Sequence, residues 1–368
     1  MKEIKFTNLY KLIKNKSKIK KKIYSLIENS KFIGGDEVLN FEKNFKNFVK
    51  SKFCVSVGNG TDALEIAVAS LKLKKGSEII LPANTWISTA ESIIANGCKP
   101  IFCDINLDDY SICLNNLKKK ISKKTKAIIL VHLYGNPTNI LEVKKIIKNK
   151  SIKIIEDCAQ AHGTKLGVKH VGTFGDVGTF SFFPGKNLGG FGDGGAIVTN
   201  SKQINNYSLR ARNHGALKKY DHKFSGRNSR LDALNAAVLN IKLKSYNDVI
   251  KKRNKLSMLY FNGLKKIQNI HLFKLSKKNT HSFHQFVIRT QKRDGLSLFL
   301  KKNKIQTMIH YPYMLNELNF FNKKKLPNAQ NLGKKILSLP ISEEHSEKEI
   351  RYVIKKINFF FKKKEKKQ

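Results

Sequence analysis

The stretch Ile152-Lys-Ile-Ile-Glu-Asp157-Cys-Ala-Gln160-Ala-His162-Gly163 is a short, β-branched apolar run that ends on an aspartate. It reads as a buried parallel strand delivering a side chain from its carboxyl end, where open α/β sheets gather their functional groups. Similar runs occur at Glu78–Pro82, Lys99–Asp104, Ala127–Leu133, Gly178–Phe183 and Ala196–Thr199, separated by segments long enough for helical crossovers. The alternation predicts an α/β fold, with a mostly parallel sheet sandwiched by helices.

From about Leu231 the pattern turns helical, then shows expected strands at Ser282–Arg289 and Gln306–His310 around a helix. A smaller α+β C-terminal domain fits this, joined to the first by a kinked helix near Leu231–Lys255. The expected division is a large domain over 1–240 and a small one over 241–368, with an N-terminal helix at about 8–28 free to pack elsewhere.

Working outward from Asp157, the next strand leads into Gly178-Thr-Phe-Ser-Phe-Phe-Pro-Gly-Lys186-Asn187-Leu188-Gly189, followed by further glycines to Gly195. A lysine set between an apolar strand and a glycine-rich turn loses hydration. Its pKa falls, and the amine becomes a nucleophile toward carbonyl carbon. Read alone, Lys186 could also be a solvated lysine in a glycine-rich loop. Asp157 changes that balance, because pyridoxal phosphate needs a carboxylate at its ring nitrogen to act as an electron sink. Gln160, on the same turn, can hydrogen-bond the ring's phenolic oxygen.

Upstream, Cys54-Val-Ser-Val-Gly58-Asn59-Gly60-Thr61-Asp62-Ala63-Leu64 reads as strand, glycine turn and helix start. Free N–H groups at such a terminus bind phosphate, which points to Gly60 and Thr61; an ordinary Thr/Asp helix cap is the alternative. Trp86, the sole tryptophan, follows another apolar run. There it can stack on a flat ring or serve as a core or interface residue.

Together these pieces resemble the sugar aminotransferases of fold type I, often called the DegT family, over nearly the whole chain. The resemblance rests on Phe32-Ile-Gly-Gly35-Asp-Glu-Val38 with Phe41-Glu42, Asn59–Leu64, Glu156–Ala161, Ser181–Leu188 and Gly192–Gly195. It continues through Arg212–Gly215, Lys219-Tyr220, Gly226–Asp232, Ile309–Pro312 and Leu337–Ile341. The resemblance implies that Lys186 carries the cofactor as a Schiff base and that Asp157 faces the pyridinium. It implies Gln160 at the phenolic oxygen, Trp86 on the ring face, and Gly60, Thr61 and Ser181 at the phosphate. Asn228 matches a residue reaching the neighbouring subunit's cofactor, which implies a homodimer with shared active sites.

The implied substrates are an amino-acid donor, glutamate, and a nucleotide-linked keto-sugar, a 3-keto or 4-keto 6-deoxyhexose, used for cell-surface polysaccharide or glycan. Arg230 and Lys219 are implied at its diphosphate and His310 at its sugar. A salt bridge to Asp232 is the alternative for Arg230, and a satisfied domain-interface histidine for His310. Some family members lack the lysine and dehydrate the sugar, and a regulator could share the fold; Lys186 argues for transamination. The chain departs from many related 3-keto enzymes at Phe183, where they carry tyrosine, so a substrate contact there is in question. Phe183 and Gly34-Gly35 also suit enzymes acting at C-4.

The formal net charge of +44 raises the alternative of nucleic-acid binding. Only eight of the 71 basic residues are arginine, the residue suited to base edges, and the lysines gather in clusters such as Lys11–Lys22 and Lys362–Lys367. Composition bias on solvated faces accounts for that, so no specific nucleic acid is expected. Five cysteines without a Cys-x-x-Cys pair fit a reduced, cytoplasmic setting. The histidines form no metal motif, His281 and His284 reading as a strand-edge pair, and no metal is expected. No run is long enough to span a bilayer.

Overall fold

The computed structural model describes residues 3–276, 278–321 and 324–365. The strands of the first part are β1 (Phe53–Val57), β2 (Glu78–Pro82), β3 (Lys99–Cys103), β4 (Thr125–Val131) and β5 (Lys153–Asp157). A small hairpin of β6 (Lys165–Leu166) and β7 (Lys169–His170) precedes β8 (Val177–Ser181) and β9 (Gly195–Thr199). Seven of these make one sheet in the order β1-β9-β8-β5-β4-β2-β3. Strands β3, β2, β4, β5 and β8 run parallel, while β9 is antiparallel to both its neighbours.

The parallel strands are near-continuous apolar runs because helices cover both faces of the sheet. In β5 every residue after Lys153 is buried. The helices, in chain order, are α1 (Leu9–Leu12), α2 (Lys16–Glu28), α3 (Gly35–Val49), α4 (Gly60–Ser70), α5 (Ser88–Ala95), α6 (Leu114–Lys120) and α7 (Ile140–Ile146). They continue with α8 (Lys202–Ala211), α9 (Ala233–Leu243), α10 (Tyr246–Leu264), α11 (Arg293–Lys302), α12 (Pro327–Lys335) and α13 (Glu347–Glu365).

Helix α3 shows the logic of one face. Val38, Phe41, Phe45 and Val49 are buried at helical spacing, and Asp36 and Glu37 in the first turn complement the helix dipole. Phe41 and Phe45 meet Phe180 and Phe182 of the β8 segment edge-to-face, with ring centroids 5.0–5.2 Å apart. This aromatic block gives the chain after β8 a rigid floor.

The C-terminal part holds an antiparallel sheet in the order β10 (His271–Leu272), β11 (Phe286–Arg289), β12 (Ile336–Leu339). The strand expected at Gln306–His310 does not form. That segment makes point contacts instead, Gln306 N–H to Ile4 C=O and a single bridge between Met308 and Ser338. The third strand is β12, buried at all four residues.

The strand expected from Ser282 begins only at Phe286. Phe283 has a left-handed φ of 45°, and the carbonyls of His281, Ser282 and Phe283 accept side-chain donors rather than a strand neighbour. His281 and His284 are therefore loop residues, not a strand-edge pair. The joining helix is broken at Lys244–Ser245 into α9 and α10.

The Lys11–Lys22 cluster spans α1 and α2, and Ile19 of α2 packs on Val238 and Ile241 of α9. Of the C-terminal lysines, Lys366 and Lys367 lie outside the described residues. Among the described residues no helix is long and apolar enough to cross a membrane, and all five cysteines are free thiols.

Candidate active site

The carboxyl ends of the neighbouring parallel strands β5 and β8 and one helix terminus converge. Asp157 closes β5 as a buried carboxylate. Its Oδ1 accepts the Ala159 N–H at 3.1 Å and its Oδ2 accepts the Thr89 hydroxyl at 3.0 Å. Burial raises its pKa above the ordinary carboxylate value, against the pull of the Ala159 amide, the Thr89 hydroxyl and the charge of Lys186. A carboxylate held this way gains from any further cation placed against it.

Lys186 sits in the turn that follows β8, its N–H bonded to Phe183 C=O at 2.8 Å. Burial lowers the pKa of its ammonium, and Asp157 opposes the shift. The turn is tied down at Gly190 N–H to Phe182 C=O, 2.7 Å, and at Phe191 N–H to the Asn235 side chain, 2.9 Å. Two of its glycines have no room for a side chain, since a Cβ on Gly189 would lie 2.3 Å from Pro184 O and one on Gly190 2.0 Å from Asn235 Oδ1. Buried His162, which feels the Lys186 charge, has its pKa pushed down to about 3 by desolvation and so stays neutral.

Helix α4 supplies the anion end. Its N-cap Asn59 spends its side-chain oxygen on Asp62 N–H, leaving the Gly60 and Thr61 amides without an intrahelical acceptor. The helix start abuts the end of β8 closely enough that a Cβ on Gly60 would lie 2.6 Å from Ser181 Cβ. The Thr61 hydroxyl pairs with Ser88 at 2.8 Å, so three hydroxyls and two amides cluster at one point.

Gln160 is oriented from both sides. Its Oε1 accepts the Tyr134 N–H at 2.7 Å and its Nε2 donates to the Tyr311 hydroxyl at 3.0 Å. Trp86 is 58% exposed with its ring 5.6 Å from that of Tyr311, which places it at the mouth of the site rather than in the core.

The remaining expected residues sit further out. His310 Nδ1 bonds the Ser338 hydroxyl at 2.8 Å, and its C=O accepts from the Tyr134 hydroxyl, so it links β12 to the turn that follows β4. Its Nε2 makes no hydrogen bond among the described residues. Burial, with Lys186 nearby, pushes the His310 pKa down to about 4. Arg230 is exposed beside Gly34, Arg212 and Asn213 and forms no ion pair among the described residues. Asp232, its expected alternative partner, instead caps α9. Lys219 and Asn228 are exposed on a projecting loop closed by bridges Asn213–Asn228 and Ala216–His222. Among the described residues no hydrogen bond joins Lys219, Asn228 or Arg230 to the Lys186 cluster.

Sequence reasoning missed several supports. Thr89 and Tyr311 complete the partners of Asp157 and Gln160, and Ser229 accepts Gly58 N–H at 2.9 Å while donating to Asp62 at 2.6 Å. Beneath Asp157, the buried Glu156 accepts from His132 and from the amides of Gly172, Phe174 and Gly175 at 2.7–2.9 Å. His132, Glu156 and Cys158 place ligand-type atoms within 4.8 Å of one another. Both carboxylate oxygens are already filled, and His132 Nδ1 accepts Thr138 N–H, so the trio is a structural network. Burial of Glu156 is outweighed by those donors, which hold its pKa below the ordinary value.

The residues fit pyridoxal phosphate. A buried carboxylate matches its ring nitrogen, a helix terminus with hydroxyls matches its phosphate, and a half-buried lysine lies close enough to the carboxylate for the two charges to act on each other. Such a constellation on a mainly parallel sheet defines a pyridoxal-phosphate-dependent aminotransferase. The chain belongs to the DegT/DnrJ/EryC1/StrS aminotransferase family, whose profile matches residues 14–358.

It is 36% identical to a dTDP-3-amino-3,6-dideoxy-alpha-D-galactopyranose transaminase of Aneurinibacillus thermoaerophilus, across 90% of this chain and 92% of that one. It is 37% identical to a pleiotropic regulatory protein of Geobacillus stearothermophilus, across 94% and 95%. The crystal structure of S. venezuelae DesV in complex with a ketimine intermediate superposes with a TM-score of 0.95 at 30% identity, covering 98% of this chain and 99% of that chain.

Proposed function

We propose that this protein moves an amino group from an amino acid, glutamate, onto a nucleotide-linked keto-sugar, a 3-keto or 4-keto 6-deoxyhexose, for surface glycan synthesis. The observation that carries the reading is Lys186 in the tied-down turn after β8, close enough to the buried Asp157 for the two charges to act on each other. The similarity to transaminases acting on dTDP-, UDP- and GDP-linked sugars supports the substrate class.

When bound, pyridoxal phosphate supplies the electron sink for carbanion chemistry. Lys186 would hold the cofactor through its amine and, with that amine free, would move the proton to and from the substrate carbon. Asp157 holds the ring nitrogen in its protonated form. Gln160 binds the phenolic oxygen, Trp86 covers the ring face, and Gly60, Thr61 and Ser181 bind the phosphate. His310 contacts the sugar; Arg230 and Lys219 meet the diphosphate.

A homodimer is part of the proposal, with Asn228 reaching the partner's cofactor. Trp86, Phe183 and Tyr220 are all more than half exposed in the single chain, as residues awaiting a ligand or second subunit would be. The free cysteines suit a cytoplasmic setting. We also assign 1–240 to a cofactor domain and 241–368 to a smaller one, following the two sheets.

A dehydratase is the second reading, since a GDP-4-keto-6-deoxymannose-3-dehydratase superposes with a TM-score of 0.86 at 26% identity. The presence of Lys186 weighs against it. The test is mass spectrometry of products from a panel of keto-sugar nucleotides with glutamate. Amino-sugar formed by the wild type and lost in Lys186→Ala supports the proposal; amino-sugar made equally by Lys186→Ala sinks it.

A further inference from the structure

Asn187, the neighbour of Lys186, is buried, and both ends of its amide meet one loop of the C-terminal part. Its Nδ2 donates to Ser282 C=O at 2.9 Å, and its Oδ1 lies 3.0 Å from His284 Nδ1. The chemistry fixes both orientations. A carbonyl can only accept, so Nδ2 must face Ser282, and Oδ1 must then accept from a protonated Nδ1 of His284. The neutral ring keeps Nε2 as an acceptor, and the Gln285 side-chain amide lies 3.5 Å from it.

The loop that receives Asn187 is itself held rigidly. Ser282 N–H bonds Gly135 C=O at 3.0 Å, and the Ser282 hydroxyl bonds Gln160 C=O at 3.3 Å. From behind, Arg253 donates to Phe283 C=O at 2.9 Å and pairs with the buried Glu343. The 281–285 loop thus connects the backbone of Gln160, α10 and the residue next to Lys186. No other side chain adjoining Lys186 is so committed: Gly185 offers none.

We propose that Asn187 and His284 form a positioning pair that fixes the direction of the Lys186 side chain relative to Asp157 and Gln160. The pair acts through the backbone of Lys186 and touches no reacting atom. Misplacement of a reacting group by about 1 Å can cost on the order of 100-fold in rate, so a tether of this kind has a measurable effect. The inference rests on Lys186 being the cofactor-bearing lysine.

The experiment strips the full-length enzyme of cofactor, adds pyridoxal phosphate, and quenches with borohydride at intervals. Mass spectrometry then gives the rate at which Lys186 captures the aldehyde, and steady-state kinetics give kcat and KM separately. His284→Leu removes the donor; His284→Asn restores an N–H in the position of Nδ1. The expected result is capture at least about 10-fold slower in His284→Leu, kcat about 100-fold lower with KM for the keto-sugar little changed, and recovery of most of both losses in His284→Asn. Wild-type capture in His284→Leu, or a His284→Asn as slow as His284→Leu, overturns the pairing. Should His284→Leu not fold, Asn187→Ala removes both bonds from the other side, and wild-type capture there overturns it as well. No adduct on Lys186 in the wild type would instead refute the cofactor assignment itself.

Discussion

Gly60→Ala tests the phosphate end of the site with a single methyl group. The added Cβ would stand 2.6 Å from Ser181 Cβ, 3.1 Å from its Oγ and 3.3 Å from its Cα. An ordinary contact begins near 3.4 Å, so α4 and the end of β8 must part by about 1 Å, and no flexible side-chain tip can absorb the change. Overpacking of this kind costs about 1–3 kcal/mol of stability. The same movement pulls the Gly60 and Thr61 amides away from Ser181, losing at least one charge-assisted hydrogen bond worth about 1.5–3 kcal/mol. Affinity for pyridoxal phosphate should therefore fall about 10- to 100-fold. The assay is titration of the stripped enzyme followed by visible absorbance, with thermal unfolding measured on the same preparation. A variant that melts like the wild type and binds the cofactor within about twofold of it would refute both the packing argument and the phosphate assignment.

Other expectations concern different links. Arg253→Met should destabilise the fold by about 3–5 kcal/mol in urea titration, because it leaves Glu343 buried and unpaired and strips donors from Phe283 and Ile341. The imidazoles of His162 and His281, pushed down to about 3, and of His170, pushed down to about 4, are buried neutral in the folded state. The unfolded chain takes up protons below its ordinary histidine pKa of about 6.5 while the fold does not. Unfolding free energy should then decline steadily from about pH 6.5 toward pH 4, and a flat profile over that range would contradict the burial account. Arg230→Ala should raise KM for the nucleotide sugar about 10-fold or more with little effect on the amino-acid half-reaction, which stopped-flow absorbance can follow separately.

How far the sequence reveals this molecule depends on how local the cause is. Strands β2 and β5 could be read to within a residue because apolar runs between turns need only their own residues to be recognised. Asp157, Lys186 and Gly60 could be picked out for a related reason, since each follows such a run, whereas Ser181 was implied only by the family resemblance. The 282–285 loop and the 306–310 segment could not. Their backbones are claimed by Arg253, Asn187, Ile4 and Ser338, partners far away in the chain that periodicity does not register. Ser229, Thr89 and Tyr311 escaped notice because a hydroxyl carries no signal until the fold shows which acceptor it meets. That Asp232 caps α9 and leaves Arg230 without it as an ion-pair partner was equally invisible before the fold was known.

The central claim is that Lys186 and its surroundings transfer an amino group to a sugar. The most direct measurement supplies nitrogen-labelled glutamate and a nucleotide-linked 3-keto or 4-keto 6-deoxyhexose to the purified enzyme with pyridoxal phosphate, and weighs the sugar product. The account predicts a sugar bearing the labelled nitrogen with wild-type protein and none with Lys186→Ala. A sugar that loses water without gaining the label would contradict it.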